Sequence, residues 1–140
     1  MKFALFFFTF GLTGCSVLKY IEAPAPEIVC FPTQCRVTYY SPHQDYWGWR
    51  NACPNTKRSV RGVTVAAHPK YPFGTRIYIP ELAGVIGDGN FIVQDRGTAV
   101  TKKKASRGQT EVIDVFVRNN SEIRKYARKM PEYLTTYIYE

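Results

Sequence analysis

Acidic residues and cysteines are both scarce in this sequence of 140 residues. It holds 11 Asp and Glu against 19 Lys and Arg, a net charge of +8. With only four cysteines, nine prolines and ten glycines, it is neither a disulfide-dense miniprotein nor a collagen-like or low-complexity chain. Aromatic residues make up 15%, which excludes a disordered chain. The length predicts one domain, and the positive charge predicts an anionic partner: nucleic acid, a membrane surface or an acidic cell-wall polymer.

Long hydrophobic runs are also missing. The longest covers residues 3–12 and follows a positively charged start, Met1-Lys2. Because a membrane-spanning helix needs about 20 apolar residues, we interpret this run as the hydrophobic region of a signal peptide. The residues that close it, 12–15 (LTGC), resemble the lipobox of bacterial lipoproteins. That resemblance implies cleavage before Cys15 and lipidation of its side chain. An ordinary cleaved signal peptide is the alternative.

Export divides the chain into three parts. Residues 1–14 are the predicted signal peptide, and residues 15–34 are a lipidated cysteine with a tether. The tether contains the Pro-rich stretch 23–26 (APAP), which cannot continue a helix. Residues 35–140 form the predicted folded domain. We therefore expect a protein of the cell envelope, anchored at Cys15 and facing the periplasm or the exterior, monomeric, with no nucleic-acid partner.

The remaining cysteines, Cys30, Cys35 and Cys53, would lie in an oxidising compartment. One disulfide and one unpaired thiol are expected, with the pairing left open. The spacing of Cys30 and Cys35 could serve a metal, but His43 and His68 are the only soft partners and stand at no zinc-site spacing. We expect neither a metal nor another cofactor.

Short apolar runs separated by turn residues dominate the predicted domain and favour strands. Six of them with little else predict a mainly β protein, a small barrel. The predicted strands cover residues 36–40, 63–67, 75–79, 90–94, 112–117 and 134–139.

One helix is expected near the C-terminus. Ser121 is the predicted N-cap and Pro131 ends the helix. Between them, apolar residues recur with helical spacing at Ile123, Tyr126, Ala127 and Met130.

Two connections are long for so small a domain, residues 41–62 and 97–111, and long loops on compact domains often carry function. The first holds Tyr46, Trp47 and Trp49, whose flat rings suit stacking on sugars; alternatively, one Trp covers an end of the barrel. The second holds a basic stretch at residues 102–107. It could bind carboxylates or phosphates, or be an ordinary charged surface.

Three polar residues stand where apolar strands end or continue. His68 follows the second predicted strand, Asp95 follows the fourth, and Asp114 lies inside the fifth. Burial of Asp114 would raise its pKa and allow it to act as a general acid. Each residue alone could be structural, but the three together predict an active site.

Several motifs in this region resemble the rare lipoprotein A family. They are residues 65–69 (VAAHP), 72–75 (PFGT), 95–97 (DRG) and 113–114 (ID). The resemblance implies a double-psi β-barrel with six strands and lytic transglycosylase or glycan-binding activity. It also implies functional roles for His68 and Asp95.

Other motifs resemble the three-aspartate domain of membrane-bound lytic transglycosylase A. They are residues 36–41 (RVTYYS), 74–80 (GTRIYIP) and 113–116 (IDVF). This second resemblance implies that Asp114 is the catalytic acid. The sequence departs from that domain at His68, where an aspartate is expected, and at Thr98, where a second glycine is expected after Gly97.

Together these features predict a peptidoglycan lytic transglycosylase that cleaves glycan strands with an aspartate as general acid and base. Asp114, Asp95 and His68 are its candidate catalytic residues, and the choice of acid between the two aspartates stays open. The predicted substrate contacts are Thr38, Tyr46, Trp47, Trp49 and Arg96. The alternative is a non-catalytic lipoprotein that binds peptidoglycan.

Overall fold

A computed structural model describes residues 30–44 and 46–139. The predicted signal peptide, Cys15 and most of the predicted tether lie outside these residues. Within them, no helix has the length and apolar character needed to cross a membrane.

Six strands form one sheet, which closes into a ring in the order β1-β5-β2-β4-β3-β6. The pairs β1–β5 and β2–β4 are parallel and the other four are antiparallel. The mainly β prediction with six strands is therefore confirmed. The strands are β1 (Pro32–Tyr40), β2 (Thr64–Ala66), β3 (Arg76–Tyr78), β4 (Asn90–Asp95), β5 (Val112–Phe116) and β6 (Tyr133–Tyr139).

Strand β1 begins three residues before the expected domain boundary at Cys35. Pro32 pairs with Tyr137 and Gln34 pairs with Thr135 of β6. Proline is tolerated at the first position of a strand, where its missing N–H is least costly. Part of the segment assigned to the tether thus belongs to the sheet.

In the described residues, two α-helices accompany the ring, α1 (Thr98–Thr101) and α2 (Asn120–Lys129). Two short 3-10 helices cover Pro80–Leu82 and Lys104–Ser106. Helix α2 is the predicted one, whereas α1 is too short to give a periodic signal. The N-cap of α2 is Asn119, not Ser121 as predicted. The Asn119 side chain accepts a hydrogen bond from the Glu122 backbone N–H at 3.0 Å, because Asn119 has the extended backbone that a cap requires.

Strand β5 is covered on both of its faces. Ile113 and Val115 point into the ring and join the main core, while Val112 points outward into a smaller cluster with Ala66 and Val100. Loops and α1 cover this outer cluster. The strand therefore reads as a nearly continuous apolar run, interrupted by Asp114 on the outer face.

The cysteine prediction is wrong, because Cys30, Cys35 and Cys53 are all free thiols in the described structure. Cys35 lies in the core on β1. Cys53 lies in the loop against β4, where its backbone N–H donates to the Gln94 carbonyl at 3.0 Å. Strands β1 and β4 are not neighbours in the ring, and a disulfide requires closely approaching backbones.

Candidate acid site on the outer face of the ring

Both candidate aspartates lie at one level of the sheet, on either side of β2. Asp114 of β5 pairs with Ala66 of β2, and Ala66 pairs in turn with Asp95 of β4. On the far side of Asp114, Thr38 of β1 is its register partner. Side chains at one level of neighbouring strands on the same face are close enough to interact. Four strands thus bring these residues together.

An irregularity between β2 and β4 contributes to this arrangement. Val65 pairs with Val93, but the next residue, Ala66, pairs with Asp95, so that Gln94 is left over. Such a bulge redirects the side chains beside it. Without it, regular alternation would turn Asp95 to the same side as Val93, which lies in the core.

Asp95 is held by three hydrogen-bond donors. The Tyr40 hydroxyl donates to Oδ2 at 2.7 Å, and the backbone N–H groups of Ala52 and Arg96 donate to Oδ1 at 3.0 and 2.8 Å. The residue is 9% exposed. All three hydrogen bonds come from donors, so the surroundings of Asp95 suit an ionised carboxylate, which only accepts. Through the Ala52 bond, Asp95 also attaches the loop between β1 and β2 to β4.

Asp114 has a different environment. It is the least buried residue of β5, and its Oδ1 accepts one hydrogen bond, from the Thr38 hydroxyl at 2.8 Å. Desolvation of the carboxyl raises its pKa to about 7; the charge of Asp95 adds to the rise and the Thr38 bond opposes it. A substantial fraction of Asp114 is therefore protonated at neutral pH, as a general acid requires.

Tyr40 completes the pair of donors from β1. Thr38 and Tyr40 are two residues apart on one strand and so share its outer face. Each donates to one aspartate. Burial, together with the nearby Asp95 charge, raises the pKa of Tyr40 far above its usual range, which keeps its hydroxyl protonated. The two-residue spacing from Thr38 was the available signal for Tyr40, which the sequence reasoning did not single out.

A pocket of about 180 Å³ opens beside Asp95. Asp114 is not among its lining residues. The pocket is lined by Tyr40, Trp47, Gly48, Arg50, Asn51, Ala52, Asp95 and Arg96.

The three loop aromatics have different positions. Tyr46 is 95% exposed and Trp47 is 64% exposed, and their rings lie 6.2 Å apart. The Trp49 ring packs edge-on against the buried Phe116 ring, with their centroids 5.4 Å apart. The Arg58 guanidinium lies over the Trp49 ring, 5.3 Å from its centroid. Trp49 therefore covers the outer face of the sheet, whereas Tyr46 and Trp47 present rings beside the pocket.

His68 has a local hydrogen-bond partner. No hydrogen bond connects it to Asp95 or Asp114 within the described structure; instead its Nδ1 accepts from the Lys70 backbone N–H at 3.1 Å. The imidazole therefore belongs to the turn that follows β2.

Arg96 lines the pocket, but its guanidinium binds protein backbone. It donates to the Ala67 and Tyr71 carbonyls at 3.2 and 2.6 Å and lies over the Phe73 ring at 4.2 Å. These contacts hold the turn of residues 67–71. The predicted substrate contact Thr38 likewise has a structural partner, Asp114.

A second charged cluster lies on the loops beside the site. The Nζ atoms of Lys70 and Lys103 both contact Oε1 of Glu111 at 2.6 Å. Glu111 is 9% exposed, and the two lysines lower its pKa, although burial opposes them. This contact joins the loop before β3 to the loop before β5.

Across the described ranges, no three His, Cys, Asp or Glu residues are grouped so that they could hold a metal ion. No known family model matches the chain. No curated protein matches its sequence.

Proposed function

We propose that the protein cleaves peptidoglycan glycan strands as a lytic transglycosylase, with Asp114 as the general acid and base. The observation that carries the proposal is the contrast between two neighbouring carboxyl groups. Asp114 has a pKa near 7, while Asp95 is held as an acceptor by three donors. Pairs of carboxyl groups in contrasting environments are a common arrangement for acid catalysis of glycoside cleavage.

In the proposed reaction, the Asp114 carboxyl protonates the glycosidic oxygen and the bond from that oxygen to C1 breaks. The Asp114 carboxylate then takes the proton of the sugar's own 6-hydroxyl, whose oxygen bonds to C1. The product is a 1,6-anhydro sugar, and no water is consumed. The negative charge of Asp95 stabilises the positive charge that develops at C1.

The remaining parts of the proposal concern fold, substrate and location. The ring with its two parallel pairs is consistent with a double-psi β-barrel. Trp47, beside the pocket, and the exposed Tyr46 supply flat apolar faces for sugar rings, and Asn51 supplies hydrogen bonds. The chain is anchored to the envelope membrane by lipid at Cys15 and faces the wall.

The test is product analysis on purified glycan strands. The wild-type protein is expected to release anhydro-ended fragments, detected by mass spectrometry. Asp114→Asn should lower the rate by about a hundredfold or more, the usual contribution of a general acid. Asp88→Asn is the matched control, because Asp88 is an exposed carboxylate on another part of the ring, and it should keep full activity.

Full activity of a folded Asp114→Asn variant would overturn the assignment of the acid. Thermal unfolding of each variant shows whether it is folded. Products with reducing ends in place of anhydro ends would indicate hydrolysis, in which a carboxylate activates water.

One observation favours a second function, a wall-binding module without catalysis. Asp114 does not line the pocket, and Asp95 bonds two backbone N–H groups, as a structural residue would. This alternative predicts that sacculi bind the wild type and Asp114→Asn equally and that neither protein releases fragments.

A further inference from the structure

The outer face of β3 and β6 carries aromatic residues. On β6, Leu134 is in the core and Ile138 packs against it, so the odd-numbered residues, including Tyr137 and Tyr139, point outward. Tyr78 of β3 pairs with Tyr137, and their ring centroids are 6.1 Å apart. We call the outward residues Tyr78, Tyr137, Tyr139 and Arg76 the tyrosine face.

This face lies on the opposite side of the ring from the acid site. In the closed order of strands, β6 is three strands away from β2 in either direction, and the two aspartates flank β2. A surface that binds the tyrosine face would therefore leave the acid site facing away from it.

The chain enters the described structure at the tyrosine face. Cys30 is near enough to Tyr139 to contribute to its raised pKa, and Pro32 pairs with Tyr137. Phe31, between Cys30 and Pro32, is 74% exposed. Cys15 precedes Cys30 by 15 residues, which span at most about 50 Å when extended. A lipid on Cys15 would thus hold this face within reach of the bilayer.

Two clefts flank Tyr139, which lines both. One, of about 540 Å³, contains Arg76, and the other, of about 490 Å³, contains Lys70. Arg76 is exposed, and within the described residues no carboxylate lies at ion-pair distance from it. The acid of the first cleft, Asp88, accepts from the Asn90 backbone N–H at 2.9 Å. A cation beside tyrosine rings suits a phosphate headgroup above an apolar layer.

We propose that the tyrosine face, with Phe31, lies on the headgroup layer of the anchoring membrane, and that this contact turns the acid site toward the wall. The inference rests on the proposed anchoring at Cys15. Tyrosine rings prefer the boundary between lipid and water because they combine an apolar ring with a polar hydroxyl. A single lipid attachment fixes only distance, whereas a second contact also fixes orientation.

The test is iodination of tyrosines by lactoperoxidase, an aqueous enzyme, on the full lipidated chain in vesicles of phosphatidylethanolamine and phosphatidylglycerol. Mass spectrometry reads the labelling of each tyrosine. Labelling of Tyr137 and Tyr139 is expected to rise about fivefold when 1 M salt screens the headgroup contact, since the Debye length then falls to about 3 Å. Tyr46 is the internal reference and should not change.

Charge reversal gives the second arm of this test. Arg76→Glu should raise labelling of Tyr137 and Tyr139 about fivefold at low salt. Lys104→Glu reverses an exposed cation in another loop, and it should leave labelling unchanged. Labelling of Tyr137 and Tyr139 that responds to neither salt nor Arg76→Glu would overturn the inference. Protection that appears only on addition of glycan strands would also overturn it, in favour of a polymer-binding surface.

Failure here is distinguishable from failure of the proposed function. The mass of the N-terminal peptide reports lipidation at Cys15 directly, and fragment release from glycan strands reports catalysis. Neither measurement depends on Arg76 or on the tyrosine face.

Discussion

The two sides of the ring treat their outer residues differently. Around β2, the loops between β1 and β2 and between β4 and β5 cover the sheet, so that Phe116 and Val112 are fully buried although they point away from the core. Around β6, the outward tyrosines stay partly exposed. Outward-pointing strand residues thus form a second buried layer on the side of β2 and a partly solvent-exposed surface on the side of β6.

This difference explains why a carboxyl group on the loop-covered side has unusual chemistry. Asp114 is outward on its strand, where a side chain ordinarily meets water. The covering segments remove enough of that water to raise its pKa to about 7. Asp88, on the uncovered side, has a pKa below its usual range because it accepts hydrogen bonds from Asn90 and loses little water.

Removal of a ring from the covered layer should have the largest effect. Phe116→Ala is expected to lower the free energy of unfolding by about 3–5 kcal/mol, because it leaves a cavity under Trp49. Tyr137→Ala, on the uncovered side, should cost about 1 kcal/mol or less. Urea unfolding measures both values, and equal losses would show that the loops do not bury a second layer.

Asp114→Asn should change how stability depends on pH. The folded-state pKa of Asp114 lies above the unfolded value, so its contribution is fully present below about pH 4 and is lost as pH rises through 7. The variant lacks this loss. Between pH 4 and pH 8, the variant should therefore gain about 2 kcal/mol of stability relative to the wild type. The half-buried position of Asp114 keeps this gain below the value that the full pKa shift would give. Denaturation curves measure the stability of both proteins. A stability difference between wild type and variant that is the same at pH 4 and pH 8 would contradict the raised pKa of Asp114.

Tyr40→Phe removes one donor from Asp95. The variant should lose about 1 kcal/mol of stability, since a buried carboxylate keeps only two of its three hydrogen bonds. Tyr137→Phe deletes the same hydroxyl on the uncovered side and should change stability by about 0.5 kcal/mol or less. Thermal unfolding of the two variants measures the difference, and an equal loss in both would mean that the Asp95 bond adds nothing.

Thr38→Val should have the smallest effect. Its hydroxyl lowers the pKa of Asp114, so the variant should raise that pKa by up to about one unit. Carboxyl titration by carbon NMR measures the change, and the alkaline decline of glycan cleavage should move in the same direction. Thr135→Val, on the outer face of β6, is the control. A fall in the pKa of Asp114 would contradict the assigned hydrogen bond.

Strand positions could be predicted from the sequence because each strand is a short apolar run between turn residues. The place of Asp114 in the fifth run also indicated a polar group that needs a partner. The bulge that turns Asp95 outward could not be predicted, since it depends on the register between β2 and β4 rather than on either strand alone. The hydrogen bond of His68 with the Lys70 backbone likewise depends on the conformation of the turn after β2.

The predictions of a disulfide and of the helix N-cap were wrong, because each depends on backbone geometry that residue type does not determine. Oxidising conditions make disulfides possible, but pairing needs proximity. Cys35 lies in the core inside the ring, whereas Cys53 lies in a loop bonded to β4. At the helix, Asn119 and Ser121 are both good caps by type. Only the backbone conformation at Asn119 decides between them.

Glu111 has a consequence for how this protein can change. A single carboxylate oxygen holds both Lys70 and Lys103, so two loops share one fastening. A substitution at Glu111 would remove both contacts together, whereas loss of either lysine leaves the contact of the other. Changes of length or sequence in one of these loops therefore affect the other through Glu111. An engineered insertion in one loop should be tested for its effect on the position of the other.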